Sequence, residues 1–263
     1  MPLVRHYLRG RDHPVKGDPR PAATQGAIRS PADVRAIFDR IVPRYDLMNR
    51  LMTGGRDLAW RRLAVREALR DTNRAETRVL DVATGTGDLA LALRDAGAAD
   101  VVGLDFSAAM LDEAIRKEAA AVRDRRVTWV EGDAMALPFP EEAFDAVTVA
   151  FGLRNMPSYP AALREMARVL RPAGILVCLE TTPLRAPVSR AVFDWYFARV
   201  VPIIGGLLSG DRDAYRYLPA SAAAFPDADT LGQMMLAAGF SRVRYLRLGL
   251  GTVALHVAAK PGA

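Results

Sequence analysis

A short glycine-containing loop has the residue types to receive a nucleotide-like ligand. Gly85, Thr86 and Gly87 follow an apolar stretch at residues 78–83 and precede a helix-like segment. Glycines at such a turn let the backbone approach a ligand closely, and the first turn of a helix offers unpaired N–H groups. The spacing from Gly85 to Ala90 also fits the fingerprint of dinucleotide-binding domains. The loop alone therefore predicts a nucleotide-like ligand without choosing which one.

Three aspartates at the ends of successive strand-like stretches narrow that choice. Asp81 precedes the loop, Asp105 ends the second stretch and Asp133 follows the third. Asp105 can accept hydrogen bonds from both ribose hydroxyls, and Asp133 can accept one from an adenine amine. Asp81 suits the amino group of a methionine moiety, whereas it would repel a dinucleotide pyrophosphate. Each could be a capping or turn aspartate by itself, but all three together predict S-adenosylmethionine as the cofactor.

The elements that must position these residues alternate between strand and helix, which favours a parallel sheet with helices on both faces. A late Gly249-Leu250-Gly251 segment separates two strands that can pair as a hairpin. We therefore predict an α/β class I methyltransferase fold, Rossmann-like, with a seven-stranded, mostly parallel sheet, a C-terminal antiparallel hairpin and a helical cap. The predicted strands are 78–83, 101–105, 127–131, 143–150, 174–180, 242–248 and 252–259, and the predicted helices between them are 88–95, 108–123, 160–170 and 230–238.

The domain organisation follows from where apolar periodicity begins. Residues 1–30 are predicted to be a disordered basic tail, and residues 31–263 a single methyltransferase domain. Residues 31–75 form a helical cap, in which Ser30 caps the first helix, Pro43 breaks it, and a second helix covers residues 57–70. An insertion at 183–226, with an aromatic cluster at 193–197, either covers the substrate or packs the lid helices together.

The positive charge is concentrated at the N-terminus. The formal net charge is +6, and residues 1–30 hold six basic and two acidic side chains, which leaves the rest of the chain close to neutral. Such a tail is a solvated arm, or it attaches to anionic lipid or RNA. We favour the solvated arm and expect no nucleic-acid partner.

Cysteine and histidine content excludes several kinds of site. Cys178 is the single cysteine, so no internal disulfide or cysteine-based zinc site can form. His6 and His13 lie in the tail, and His256 lies in a late strand. These positions offer neither the ligands of a metal cluster nor the histidine of a serine-type triad, so we expect no metal. No apolar stretch reaches the roughly 18 to 20 residues that cross a bilayer, and the N-terminus has no signal core. We expect a cytoplasmic protein that is at most peripheral to a membrane.

Several motifs outside the glycine loop are more distinctive than the loop itself. The narrowest of them are Arg44-Tyr45-Asp46-Leu47-Met48-Asn49, Phe151-Gly152-Leu153-Arg154-Asn155 and Tyr215-x-Tyr217-Leu218-Pro219. Through these motifs the chain resembles the quinone-biosynthesis C-methyltransferases, which methylate demethylmenaquinol or, in related members, a polyprenyl-methoxybenzoquinol. The resemblance extends from about residue 34 to residue 260.

The resemblance implies a cofactor site and a catalytic site. Cofactor contacts are carried over to Thr86, Asp105, Asp133 and Ala134, and Ala150 stands where some members have a serine that touches the cofactor. Together with the positions above, the predicted cofactor site is Asp81, Gly85, Thr86, Gly87, Asp105, Phe106, Asp133, Ala134 and Ala150.

Ring methylation needs a nucleophilic carbon, which a hydroquinone offers when one hydroxyl loses its proton. A phenol has a pKa near 10, so this pKa must fall or a base must act. We predict that Arg154 stabilises the phenolate or holds a water that takes the proton. Asn155 and Tyr45 would orient the ring or that water, with Asp46 as an alternative base. An ion pair is the alternative role for Arg154, and helix-end packing for Tyr45.

The predicted function is conversion of demethylmenaquinol to menaquinol by an S-adenosylmethionine-dependent C-methyltransferase. A methyltransferase for a methoxybenzoquinol or another small aromatic is the main alternative. An NAD-dependent oxidoreductase and a non-catalytic cofactor-binding protein are weaker ones. The expected partners are a polyprenylated quinol, a membrane surface and a second copy of the chain in a homodimer.

Overall fold

Eight strands form one sheet in the computed structural model, which describes residues 13–15, 29–120, 126–183, 217 and 220–262. Across the sheet their order is β1-β7-β8-β6-β5-β2-β3-β4. The five strands from β6 to β4 are parallel, and β8, β7 and β1 continue the sheet antiparallel. The strands are β1 His13–Pro14, β2 Arg78–Val82, β3 Asp100–Asp105, β4 Thr128–Glu131, β5 Phe144–Ala150, β6 Leu170–Thr181, β7 Arg242–Leu248 and β8 Val253–Ala259.

The predicted sheet is confirmed, with one short strand added at its edge. β7 and β8 pair antiparallel through the turn at Gly249–Gly251, as the two glycines predicted. Both glycines and Leu250 between them have positive φ, which turns the chain within three residues. β6 begins four residues earlier than predicted, at Leu170, because the helix over Tyr159–Val169 continues directly into it.

Successive residues of the central strands build a core on each face of the sheet. Val79 and Val101 point to one face, while their neighbours Leu80 and Val102 point to the other, and all four are buried. This alternation is the two-residue period of a strand. The helices that cover the faces are α2 Asp57–Ala68, α3 Asp88–Asp95, α4 Ala108–Ala119, α5 Tyr159–Val169 and α6 Ala228–Ala237.

The cap begins with a long helix, α1, over Pro31–Thr53. Ser30 caps it as predicted, since its hydroxyl accepts a hydrogen bond of 3.2 Å from the amide of Asp33. The predicted break at Pro43 is wrong, because the helix runs through the proline. A proline removes one backbone hydrogen bond, and burial of apolar residues before and after it, from Val34 to Met48, outweighs that loss.

The structure describes only short segments of the predicted tail and of the predicted insertion. Residues 13–15 of the tail are ordered, contrary to expectation: His13 and Pro14 pair with β7, whose edge would otherwise lack partners, and the Val15 amide donates to Val243. Residues 184–216, including the aromatic cluster, lie outside the described part of the chain.

Among the described residues no helix is both long and apolar enough to cross a bilayer, and no His, Cys, Asp or Glu group could hold a metal ion.

Candidate active site

A cavity of about 730 Å³ opens at the carboxyl ends of the parallel strands β2, β3, β4 and β5, beneath helix α1. Ligands of open α/β sheets bind at this edge because the loops that follow the strands converge there. The strand-end loops contribute Ala83, Gly85, Leu104, Asp105, Phe106, Glu131, Gly132, Asp133, Ala134, Ala150, Phe151, Gly152, Asn155, Met156 and Pro157, and α1 contributes Pro31, Ala32, Val34, Arg35, Phe38 and Tyr45.

Asp105 is the carboxylate that fixes the glycine loop. One oxygen accepts a 2.7 Å hydrogen bond from the amide of Gly85, and the other accepts one of 3.0 Å from the amide of Ser107. The side chain is buried, and that burial raises the pKa of Asp105 to about 6 despite these N–H donors. Asp105 lines the cavity, and its carboxylate could accept hydrogen bonds there from the hydroxyls of a ribose.

Asp81 lies deeper than Asp105 and outside the main cavity. Its two oxygens accept hydrogen bonds of 2.6 Å from the hydroxyls of Thr84 and Thr148. Burial raises its pKa to about 6, with the two hydroxyls lowering it in part. Asp81 borders a small recess that adjoins the main cavity and that Gly85 and Ala150 also border. Thr148, in the middle of β5, was missed because a lone threonine in a strand gives no functional signal.

Six of the nine predicted cofactor positions line the main cavity, and Asp81, Thr86 and Gly87 do not. Phe106, Asp133, Ala134 and Ala150 lie on its wall. Thr86 is buried and faces the small recess. Gly87 faces neither the main cavity nor the small recess. A Cβ at this position would come within 2.6 Å of the Trp129 ring, so the glycine is needed for packing against β4 instead of for contact with a ligand.

Helix α1 is joined to the glycine loop by a polar cluster. The Asp46 carboxylate accepts a 2.7 Å hydrogen bond from the hydroxyl of Thr86 and pairs at 2.8 Å with the ammonium of Lys117. Lys117 also pairs with Asp88 at the start of α3. Asp46 is therefore committed to an ion pair and does not line the main cavity, which argues against its predicted role as a base. Tyr45, its neighbour, does line the cavity, with its ring 3.8 Å from the Cβ position of Gly85.

The structure gives Arg154 the ion pair that the sequence left as an alternative. Its Nη1 donates at 2.6 Å to Glu180 and at 2.8 Å to the carbonyl of Phe151. Both charged side chains are buried, and Arg154 is not among the residues that line the cavity. Glu180 was missed, although a glutamate that ends an apolar strand at this edge of the sheet was a usable signal.

Asn155 lies on the cavity wall and is held by a residue from the far end of the chain. Its side-chain oxygen accepts a 3.0 Å hydrogen bond from the hydroxyl of Tyr217, which is buried. Tyr217 belongs to the late tyrosine motif and to the predicted insertion, so at least this part of the insertion reaches the site.

The backbone is strained where the two sides of the cavity meet. Ala83 and Phe151 follow adjacent strands and have φ values of 52° and 59°, which cost about 1–2 kcal/mol for a residue other than glycine. A Cβ on Gly152 would lie 2.5 Å from that of Ala83, so the two loops touch. Strain of this kind persists where the surrounding structure fixes a functional geometry.

Comparisons with known proteins identify the family. The sequence model of the ubiE/COQ5 methyltransferase family matches residues 27–260. A demethylmenaquinone methyltransferase from Thermus thermophilus is 53% identical over 226 residues, which are 86% of this chain and all of that protein. The chain belongs to the ubiE/COQ5 methyltransferase family. Membership confirms the predicted enzyme class, a methyltransferase that depends on S-adenosylmethionine.

Two further members of the ubiE/COQ5 family extend this similarity. A demethylmenaquinone methyltransferase from Deinococcus radiodurans is 48% identical over 228 residues, 86% of this chain and 92% of that protein. A ubiquinone/menaquinone biosynthesis C-methyltransferase from Paracoccus denitrificans is 42% identical over 224 residues, 85% of this chain and 88% of that protein. This chain is therefore similar to family members named for demethylmenaquinone alone and to one named for both ubiquinone and menaquinone.

Solved structures confirm the predicted fold. A methyltransferase from Thermotoga maritima, described as a possible histamine N-methyltransferase, superposes with a TM-score of 0.62 at 18% identity and covers 86% of this chain and 99% of its own. The [4+2]-cyclase SpnF gives 0.60 at 21% identity, with 92% and 100% covered. At these identities the likeness concerns the fold alone, since one fold carries different chemistries.

The cavity of this ubiE/COQ5 family member fits S-adenosylmethionine by the chemistry of its walls. Asp105 offers carboxylate oxygens for a ribose, and the Asp133 carboxylate lies beside Ala134 on the part of the wall that follows β4. Phe106 and Met110 give this end the apolar surface that an adenine ring needs. These residues would hold the nucleoside.

Proposed function

We propose that this protein methylates a ring carbon of demethylmenaquinol and so produces menaquinol. The observation that carries the proposal is the 53% identity, over the whole length of the Thermus protein, to a methyltransferase named for demethylmenaquinone. A methoxybenzoquinol is the alternative substrate, favoured by the Paracoccus relative that is named for both quinones.

Tyr45 is the hydrogen-bond donor to the reacting quinol. Bound S-adenosylmethionine supplies the methyl group on an electron-poor sulfonium. Electron density on the quinol ring rises when a hydroxyl loses its proton, so the enzyme must stabilise a phenolate. Tyr45 lines the cavity, and burial raises the pKa of its phenol, which keeps the side chain protonated at neutral pH. A protonated tyrosine donates to a phenolate and cannot act as the base.

Arg154 acts on the same phenolate through its charge instead of through contact. Its guanidinium opposes the effect of burial and lowers the pKa of Tyr45, so its field reaches the cavity wall. A quinolate oxygen beside Tyr45 would be stabilised by that field in the same way. Glu180 fixes the orientation of Arg154 through the buried ion pair and is a positioning residue.

Asn155 orients the quinol ring. Its amide oxygen is occupied by the Tyr217 hydroxyl, and its amide nitrogen lies 3.4 Å from the Phe151 carbonyl. The side chain therefore has its second amide hydrogen available for a quinol oxygen. The insertion at 183–226 remains our predicted cover for the prenyl tail.

Helix α1 provides the surface that meets the membrane in which a prenylated quinol resides. Arg40, Arg44, Leu47 and Leu51 recur at four- and three-residue intervals, so they share one face of the helix, and all four are exposed. Leucines flanked by arginines suit the boundary between acyl chains and anionic headgroups. Replacing Leu47 and Leu51 with Glu should reduce sedimentation with anionic vesicles while leaving S-adenosylmethionine affinity unchanged.

The substrate assignment is tested by comparing quinols of matched prenyl length. Purified protein and labelled S-adenosylmethionine are incubated with demethylmenaquinol or with a polyprenyl-methoxybenzoquinol whose ring carbon is not yet methylated. Both quinols are kept reduced. We expect kcat/KM to be at least about tenfold higher for the naphthoquinol, a difference of about 1.4 kcal/mol in transition-state binding. Equal values would make the enzyme dual-specific, and the reverse order would contradict the proposal.

A further inference from the structure

Arg61 is a buried cation outside the residues that we assign to the nucleoside and to the quinol. It lies in helix α2 and is only 8% exposed. Its Nε atom has no hydrogen-bond partner among the described residues, and none of their carboxylates forms an ion pair with it. Burying a charge without a partner is costly, and native proteins tolerate it mainly where a ligand or a function compensates.

Arg61 borders the small recess beside the glycine loop. The recess is also lined by Asp81, Gly85, Thr86 and Ala150. Gly85 and Ala150 line the main cavity as well, so the recess adjoins the cofactor cavity. It lies on the β2 and β5 side of that cavity, opposite the adenine end formed by the residues after β4.

The recess has charges of both signs. Arg61 supplies a positive group, and its charge lowers the pKa of Asp81 against the effect of burial. A ligand group that matches this arrangement carries a carboxylate and an ammonium together, which is an α-amino acid. The methionine end of S-adenosylmethionine is such a group, and an arginine binds carboxylates through paired donors.

We propose that Arg61 binds the carboxylate of the methionine moiety of S-adenosylmethionine. The ammonium of the same moiety then faces the Asp81 side of the recess. Cofactor use underlies this assignment, and the choice of quinol does not affect it. The other role open to Arg61 is structural, since its guanidinium lies 5.8 Å from the centre of the Phe151 ring and could hold α2 against the sheet by a cation–π contact.

The test compares two ligands that differ by the carboxylate alone. Isothermal titration calorimetry measures the affinity of the apoprotein for S-adenosylmethionine and for its decarboxylated form. We expect wild type to prefer the complete cofactor by about 30- to 100-fold, the range expected for hydrogen bonds to a charged group. In Arg61→Met this preference should fall to within about threefold, with the decarboxylated ligand bound as well as by wild type, and Arg61→Lys should retain part of it.

Arg62 provides a matched control. It is the next residue, is exposed, and donates to the carbonyl of Leu58 within the same helix. Arg62→Met should leave both affinities unchanged. An equal loss of affinity for the two ligands in Arg61→Met, or no loss for either, would overturn the proposal.

Thermal unfolding of the free protein separates the two roles independently. At pH 5, where the Asp81 carboxyl is protonated because its pKa is about 6, a ligand-binding cation without a partner should leave the Tm of ligand-free Arg61→Met equal to or above that of wild type. A structural arginine should leave it lower. Because neither measurement contains a quinol, a wrong quinol assignment would not alter the result, and failure here would leave the quinol assignment standing.

Discussion

The proposed cofactor half and the proposed quinol half of the site differ in how their buried charges are paired. In the cofactor half, Asp81 and Asp105 have no cationic partner within hydrogen-bond distance among the described residues, and burial raises the pKa of each to about 6. In the quinol half, Arg154 and Glu180 are paired at 2.6 Å. In the cofactor half, burial destabilises the charged carboxylates until a ligand binds. In the quinol half, each buried charge is neutralised by its partner before any ligand binds.

This difference indicates which residues act directly on a ligand. Unpaired groups beside a cavity keep hydrogen-bonding capacity for the ligand, whereas a paired group acts through its field and through the residues that it positions. Neutralising a charge in the cofactor half should therefore weaken binding without unfolding the protein. Neutralising one in the quinol half should destabilise the protein first.

Breaking the Arg154–Glu180 pair should have the largest effect. Arg154→Met or Glu180→Met leaves one buried charge unpaired and should lower the free energy of unfolding by about 3–5 kcal/mol, measured by urea denaturation. The double variant has no unpaired charge and should recover most of that stability while methyl transfer stays low. A double variant as unstable as the single ones would show that the pairing of charges is not what matters.

Asp105→Asn should come next. Asparagine keeps one acceptor for the loop amides but loses the charge that strengthens hydrogen bonds to ribose. We expect S-adenosylmethionine affinity to fall about 100-fold, or about 2.7 kcal/mol, with unfolding free energy at pH 7.5 changed by less than about 1 kcal/mol. Calorimetry and denaturation on the same sample check both. Unchanged affinity would remove Asp105 from the cofactor site.

Asp81→Asn should expose the cost of the buried carboxylate through pH. The unfolded chain holds this proton only below about pH 4, whereas the folded chain holds it up to about pH 6. Unfolding between these values releases the proton, so this group lowers stability as pH rises through the window. Relative to wild type, the variant should gain up to about 3 kcal/mol at pH 7.5 and almost nothing at pH 4. A variant less stable at pH 7.5 would contradict the unpaired-charge account.

Asp46→Asn should have the smallest effect. Asp46 is held by Lys117 and Thr86 at the partly exposed edge of the cap, and pairs of this kind contribute about 1 kcal/mol or less. Methyl transfer should stay within about threefold of wild type, whereas loss of a catalytic base costs about 100-fold or more. Tyr45→Phe, one residue away, is the contrast and should lower kcat about 100-fold. A large loss in Asp46→Asn would restore it as a base.

The same division explains how much of the molecule was predictable from sequence. Strand-end positions such as Asp105 and Asp133 were readable, because a parallel sheet brings the ends of its strands to one edge whatever the side chains are. The pairing of Arg154 with Glu180, 26 positions later, was not, since a side-chain partner depends on how β5 and β6 align.

Two other misses have local physical causes. The sequence pattern favoured a helix break at Pro43, but tertiary burial on both sides of the proline kept the helix intact. Arg61 sits in an amphipathic helix among other arginines, where nothing distinguishes a buried cation from solvated ones. Its burial and unpartnered nitrogen become visible only when α2 is packed against the sheet.

The central claim, that this protein is a C-methyltransferase of a naphthoquinol, is tested most directly by locating the transferred methyl group. S-adenosylmethionine labelled with carbon-13 at the methyl group is incubated with the enzyme and reduced demethylmenaquinol, and the product is analysed by NMR. We predict that the label lies on the ring carbon that carries hydrogen in the substrate. A label on a hydroxyl oxygen, or transfer only to a benzoquinol, would contradict the account.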